Sequence, residues 1–218
     1  MRETVISEIL EKKIIAIVRG VEPAEILRTA QALYDGGITL MEITFNQRDP
    51  DSFRQTAQSI AAVRAHMSGK LIAGAGTVTS TELVELACSA GAEYIISPDT
   101  DPAVIRRTRE LGLVSLPGAY TPSEAKQAHN AGADFVKLFP CVGPTAPAYL
   151  KALCAPLSHI RFLAVGGVDA SNAAAFLRAG AVGLGVGSSL VSRSRVEEGR
   201  FDEITAASQQ LVQAIHSV

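Results

Sequence analysis

Eight short runs of β-branched and apolar residues recur along this chain, at 14–18, 40–44, 71–76, 94–98, 114–118, 135–140, 162–166 and 183–187. Stretches with helical periodicity separate them, among them 23–34, 51–66, 80–90, 102–111, 122–131 and 171–179. Strands that alternate with helices in this way build a parallel sheet, because each crossover helix returns the chain to the same edge. Pro23, Pro102 and Pro122 stand where helices begin, a position at which proline loses no intrahelical bond. Gly36, Gly91, Gly112, Gly132 and Gly180 stand where helices end, where glycine tolerates the left-handed cap. Residues 1–12 are expected to form an extra helix across the bottom of the sheet, and 201–217 the last outer helix.

Eight regular units, with no Gly-x-Gly-x-x-Gly turn after the first, favour closure into a (β/α)8 TIM barrel. An open doubly wound sheet is the competing arrangement. No linker, low-complexity tract or shift in composition divides the chain, so residues 1–218 read as one barrel domain.

Composition narrows the partners. The chain is 47% hydrophobic, enough for a sizeable core, while 19% charged residues and a net charge of −2 offer no footprint for nucleic acid or an anionic membrane. The first residues, Met1 to Val5, lack the apolar run of a signal peptide, and no apolar stretch is long enough to span a bilayer. Cys88, Cys141 and Cys154 lack paired spacing and read as reduced thiols, which leads us to expect a cytoplasmic protein.

Barrel chemistry resides at the C-terminal ends of the strands, so polar residues that interrupt apolar strands there are the candidates. Lys137, within Phe135-Val136-Lys137-Leu138-Phe139-Pro140, is one. Burial disfavours an ammonium, so an inward lysine offers a free amine that can attack a ketone; an outward one would snorkel between helices. Glu42 is the second, since alternation sets Leu40, Glu42 and Thr44 on one face and Met41 and Ile43 on the other. An inward carboxylate suits general acid/base work, or a structural ion pair with Lys137.

Arg19 closes the first strand and can fork onto a substrate carboxylate or phosphate, or form a surface salt bridge. Thr77 follows Gly74-Ala75-Gly76, whose glycines would permit close approach of a ligand. Gly166-Gly167 and Gly187-Ser188 follow strands seven and eight, where this fold commonly binds phosphate. His66, His129, His159 and His216 are scattered without metal-ligand spacing, so metal catalysis is not expected.

These segments together resemble the 2-keto-3-deoxy-6-phosphogluconate (KDPG) and 4-hydroxy-2-oxoglutarate (KHG) aldolases. The likeness is carried by Glu42-Ile43-Thr44-Phe45, Gly74-Ala75-Gly76-Thr77-Val78, Ile96-Ser97-Pro98, Pro117-Gly118, Lys137-Leu138-Phe139-Pro140, Gly166-Gly167-Val168 and Gly187-Ser188, in order between residues 14 and 191. The resemblance implies class I chemistry without a cofactor. Lys137 would carry the imine and then the pyruvate enamine, and Glu42 would shuttle protons. Thr77 would hold the pyruvyl carboxylate, Phe139 and Pro117 would line the pocket, and Gly166, Gly167, Gly187 and Ser188 would cradle the phosphate. It also implies a homotrimer.

Two residues depart from many members: Asn46 stands where an arginine follows the catalytic glutamate, and Val165 precedes the paired glycines where a threonine is common. Other members place the carboxylate-binding arginine at the end of strand one, as Arg19 is here. Asn46 and Val165 resemble the branch acting on the C4 epimer, 2-keto-3-deoxy-6-phosphogalactonate. A barrel isomerase using Glu42 as base and a non-catalytic sugar-phosphate binding protein are the further alternatives.

Overall fold

A computed structural model describes residues 2–216, so Met1 and Ser217, at the ends of the two expected terminal helices, lie outside the described residues. The strands are β1 (Ile14–Val18), β2 (Leu40–Thr44), β3 (Ile72–Gly76), β4 (Tyr94–Ile96), β5 (Val114–Leu116), β6 (Gly118–Ala119), β7 (Val136–Leu138), β8 (Phe162–Val165) and β9 (Gly183–Val186). The helices are α1 (Arg2–Lys12), α2 (Ile26–Asp35), α3 (Phe53–His66), α4 (Thr81–Ser89), α5 (Pro102–Glu110), α6 (Pro122–Asn130), α7 (Ala146–Cys154), α8 (Ala173–Arg178), α9 (Arg193–Glu197) and α10 (Phe201–His216).

All strand pairs are parallel, and the sheet runs β5-β4-β3-β2-β1-β9-β8-β7-β6. Its two edges, β5 and β6, are halves of the single fifth strand expected from the sequence. Pro117 divides them, because proline has no N–H to give to the ladder. The edges therefore meet in one stretch of chain, and the sheet closes as a barrel. Across the seam, Ser115 O accepts from Asp134 N (3.0 Å), and Pro117 O accepts from Lys137 N (2.9 Å). The open-sheet alternative is thereby excluded.

Alternation along the strands makes two cores. Ala16, Met41, Ile43, Ala73, Val136 and Leu184 point outward and pack beneath the helices. Ile15, Leu40, Tyr94, Val114, Phe135 and Leu163 point inward, where Val5, Ile6 and Ile9 of α1 join them. α1 is thus a plug. Glu8 accepts from Thr39 just ahead of β2 (3.0 Å), and Arg2 pairs with Asp134 just ahead of β7, so the plug sits at the N-terminal mouth. The C-terminal mouth is left for chemistry.

Local punctuation follows the expected physics with two adjustments. Pro102 and Pro122 open α5 and α6, and the N-cap Thr121 forms a reciprocal capping box with Glu124. Pro23 instead opens a 3₁₀ turn that leads into α2. After α2 it is Gly37, at φ +89°, that takes the left-handed conformation, while Gly36 stays right-handed. Gly36 is small for a different reason: a Cβ there would stand 2.2 Å from Ser208 Cβ of α10.

Candidate active site

Lys137 is the middle residue of β7, flanked by Val136 and Leu138, whose side chains face the helices. Its own side chain enters the barrel and is 7% exposed. Nζ lies 4.5 Å from the centroid of the Phe139 ring, next inward residue along the chain. Burial, the largest influence, lowers its pKa from the ordinary 10.5; Glu42 opposes that shift, Arg19 adds to it, and Asp99 opposes it.

Glu42, on β2, is 2% exposed. Burial raises its pKa from the ordinary 4.5, against the pull of Lys137 and Arg19. The two groups form no ion pair within 4 Å among the described residues, so neither locks the other in its charged form. Their proton affinities are instead pushed toward one another. Groups whose proton affinities are drawn closer together exchange protons with a substrate at smaller cost.

Space for the carboxylate comes from β3. A Cβ at Gly76 would stand 1.7 Å from Glu42 Oε1, and one at Gly74 would stand 2.1 Å from the Tyr94 ring. These glycines make room for the protein's own side chains, a correction to the expectation that they admit a ligand. Thr77 follows at φ 55°, a conformation that β-branched residues avoid. Such strain costs on the order of 1–3 kcal/mol. Gln47 Nε2 holds it by donating to Thr77 O (2.8 Å), and Arg19 Nη2 donates to Thr77 Oγ1 (3.3 Å).

The glycine loops face the same space. Gly166 and Gly167 have φ of +93° and +70°, and a Cβ at Gly167 would stand 2.7 Å from Cys141 O. The amides of Gly166, Gly167, Val168, Gly187 and Ser188 donate no backbone hydrogen bond among the described residues. They are available to an anion. After β9 the chain makes a single turn, in which Gly187 O accepts from Leu190 N and Val191 N (2.9 Å each).

One cavity of about 430 Å³ brings together Lys137, Glu42, Arg19, Thr77, Phe139, Gly166, Gly167, Gly187 and Ser188. That volume suits a small ligand. Pro117 is not in the lining, because it is buried in the barrel seam. Pro98 lines the cavity in its stead. Val165 lines it too, whereas Asn46 lines a separate cavity of about 190 Å³ with Asp49 and Ser52. Pro98 carried part of the family likeness without a role assigned to it, and Gln47 was not singled out; the signal was their place just after β4 and β2, at the mouth.

His129 and His159 do meet, edge to face at 4.9 Å between centroids. No group of three or more His, Cys, Asp or Glu side chains is placed to hold a metal among the described residues.

Comparison with known proteins decides the family. The model of the KDPG and KHG aldolase family matches residues 5–207. The chain belongs to this family. The 2-dehydro-3-deoxy-6-phosphogalactonate aldolase of Escherichia coli (strain K12) is 39% identical over 178 residues, covering 81% of this chain and 83% of that one. The 2-dehydro-3-deoxy-phosphogluconate aldolase of Treponema pallidum (strain Nichols) is 32% identical over 211 residues, 96% of this chain and 97% of that one. A solved structure described as native KDPGal superposes with a TM-score of 0.84 at 35% identity, covering 94% of each chain. The chain is therefore an aldolase, an aldehyde-lyase, and the isomerase and binding-protein alternatives fall away.

Gly76→Ala tests the packing of Glu42. The Gly76 backbone is not left-handed, so alanine competes only for the space that the carboxylate fills. We expect kcat/KM to fall by about 10²-fold, as for a small misplacement of a reacting group, with the circular dichroism spectrum retained. Parental activity would contradict the placement.

Proposed function

We propose that this protein is a class I aldolase that cleaves 2-keto-3-deoxy-6-phosphogluconate to pyruvate and glyceraldehyde 3-phosphate. The observation that carries the reading is a buried lysine of lowered pKa facing a buried glutamate of raised pKa in one cavity. Lys137 Nζ, as the free amine, adds to the C2 ketone, and the carbinolamine loses water to give a protonated imine. Glu42 takes the proton of the C4 hydroxyl as the C3–C4 bond breaks. The bonding pair moves into the iminium, which leaves the pyruvate enamine on Lys137 and releases the aldehyde. Protonation at C3 and addition of water then release pyruvate and the free amine.

The imine is the electron sink, so the reaction needs no cofactor. Arg19 and Thr77 hold the pyruvyl carboxylate, the arginine as a charged fork and the threonine through the hydroxyl that it already shares with Arg19. The amides of Gly166, Gly167, Gly187 and Ser188 cradle the phosphate, and Phe139 covers the imine. Activity on 4-hydroxy-2-oxoglutarate, giving pyruvate and glyoxylate, follows from the same chemistry. We place the enzyme in the cytoplasm as a homotrimer. Its three cysteines are free, and no described helix is long and apolar enough to cross a membrane. The exposed Val142 and the Tyr120–Tyr149 stack provide an apolar patch for assembly.

The second reading replaces the substrate with its C4 epimer, 2-keto-3-deoxy-6-phosphogalactonate. The specific observations in its favour are the 39% identical relative that bears that name and the valine that lines the cavity at 165.

Two experiments separate these statements. Borohydride reduction in the presence of pyruvate is expected to leave a stable adduct on the peptide that contains Lys137; an adduct on another lysine, or none, overturns the Schiff-base mechanism. Comparing kcat/KM for the two epimers is expected to give unequal values whose ratio Val165→Thr changes and Asn46→Ala does not. A ratio insensitive to Val165 would remove that residue as the discriminator.

A further inference from the structure

Inside the barrel, beside the carboxylate of Glu42, lies a phenol that the mechanism above does not use. Tyr94, on β4, is 0% exposed, and its Oη has no hydrogen-bond partner among the described residues. Glu42 Oε2 is buried and without a partner in the same way. An unpaired buried polar atom forfeits its hydration for nothing, and native interiors rarely tolerate one. Here two of opposite character, one hydrogen-bond donor and one acceptor, share one interior.

Strand register brings them together. Glu42 pairs with Gly74 across β2 and β3, and Ala75 pairs with Ile95 across β3 and β4, which sets Gly74 beside Tyr94. Gly74 has no side chain, so the Tyr94 ring crosses it toward β2. Its Cζ, which bears the hydroxyl, would be 2.5 Å from a Cβ at Gly74, while Glu42 Oε1 would be 1.7 Å from a Cβ at Gly76. Those two positions lie on one face of β3, about 7 Å apart, the repeat of a strand. The hydroxyl and the carboxylate therefore approach one another over the same face of β3, where a side-chain rotation or one shared water can join them.

The charged surroundings are few. Glu42 faces Lys137 from β7 and Arg19 from the end of β1. Tyr94 feels Glu42 and its chain neighbour Glu93, which is paired with Arg64 at 3.0 Å. Lys137 also feels Asp99. Burial, then Glu42 and Glu93, hold the Tyr94 hydroxyl well above the ordinary 10.0, so it keeps its proton throughout the neutral range and stays a donor.

We infer that Tyr94 is a positioning residue for Glu42, its hydroxyl donating toward the unpartnered carboxylate oxygen and holding it ionised and aimed at the substrate. This rests on the class I aldolase reading of the site. Removing the hydroxyl takes away a donor that favours the carboxylate, so the proton affinity of Glu42 rises. The acid limb of the kcat/KM profile then moves to higher pH.

The test is Tyr94→Phe in the full chain. We expect the acid limb to rise by about one pH unit, a tenfold gain in proton affinity, with pyruvate still trapped on Lys137 by borohydride. In a Glu42→Gln background the same change should alter kcat/KM by less than about twofold, because the hydroxyl acts through Glu42. An unmoved acid limb, or an equal loss in both backgrounds, overturns the inference and identifies Tyr94 as packing alone. Should Tyr94→Phe fail to fold, the parent enzyme labelled with ¹³C at tyrosine Cζ serves. Its Tyr94 resonance should inflect as Glu42 titrates and lose that inflection in Glu42→Gln; a flat resonance overturns the inference. Failure to trap pyruvate in the parent enzyme would instead sink the aldolase reading, so the two failures are distinguishable.

Discussion

A lysine and a glutamate buried in one barrel without touching are the constraint around which this structure is arranged. Water would leave both charged and far apart in proton affinity. Burial disfavours each charged form, moving Lys137 down and Glu42 up, while their mutual attraction opposes both shifts. A direct salt bridge would restore the two charges and leave no free amine. Separation leaves burial to shift both groups, and the barrel enforces it by mounting the two on β7 and β2, across the interior from one another.

The rest of the interior follows from that requirement. Side chains of α1 fill the N-terminal mouth, so Lys137 and Glu42 sit on an apolar floor of Ile9, Leu40 and Phe135. The glycines of β3 remove bulk where Glu42 and Tyr94 need it. At the opposite mouth, loops carry groups too polar for the floor: Arg19, strained Thr77 and the open amides after β8 and β9. Division of a barrel into a stabilising end and a reactive end is the general logic of the fold.

Much of this was legible in the sequence because period and punctuation are local properties. All eight expected strand positions hold, and Lys137 and Glu42 were visible as polar residues that interrupt apolar strands, Glu42 inward by alternation and Lys137 inward or outward. What was not legible depended on contacts between distant segments. The fifth strand divides because Pro117 lies at the seam, where its missing N–H matters and its carbonyl anchors Lys137. That place also takes Pro117 out of the pocket that it was expected to line. Gly36 is small because of Ser208, which lies in a helix near the other end of the chain. Gly74 and Gly76 signalled an open surface, yet Tyr94 and Glu42 occupy it. Asn46 follows the glutamate strand by two residues and still turns into a different cavity. No periodicity encodes such meetings, which depend on sheet register and side-chain reach.

The most direct test of this account is the proton affinity of the Lys137 amine in the unliganded enzyme. Competitive labelling of lysines with trace acetic anhydride across a pH series measures it. We predict that Lys137 titrates below the ordinary 10.5 and that Glu42→Gln, by removing the attraction that favours the ammonium, lowers it further. A Lys137 that titrates at or above that value, or one indifferent to Glu42, would contradict the claim that burial beside an unpaired carboxylate makes this lysine a nucleophile.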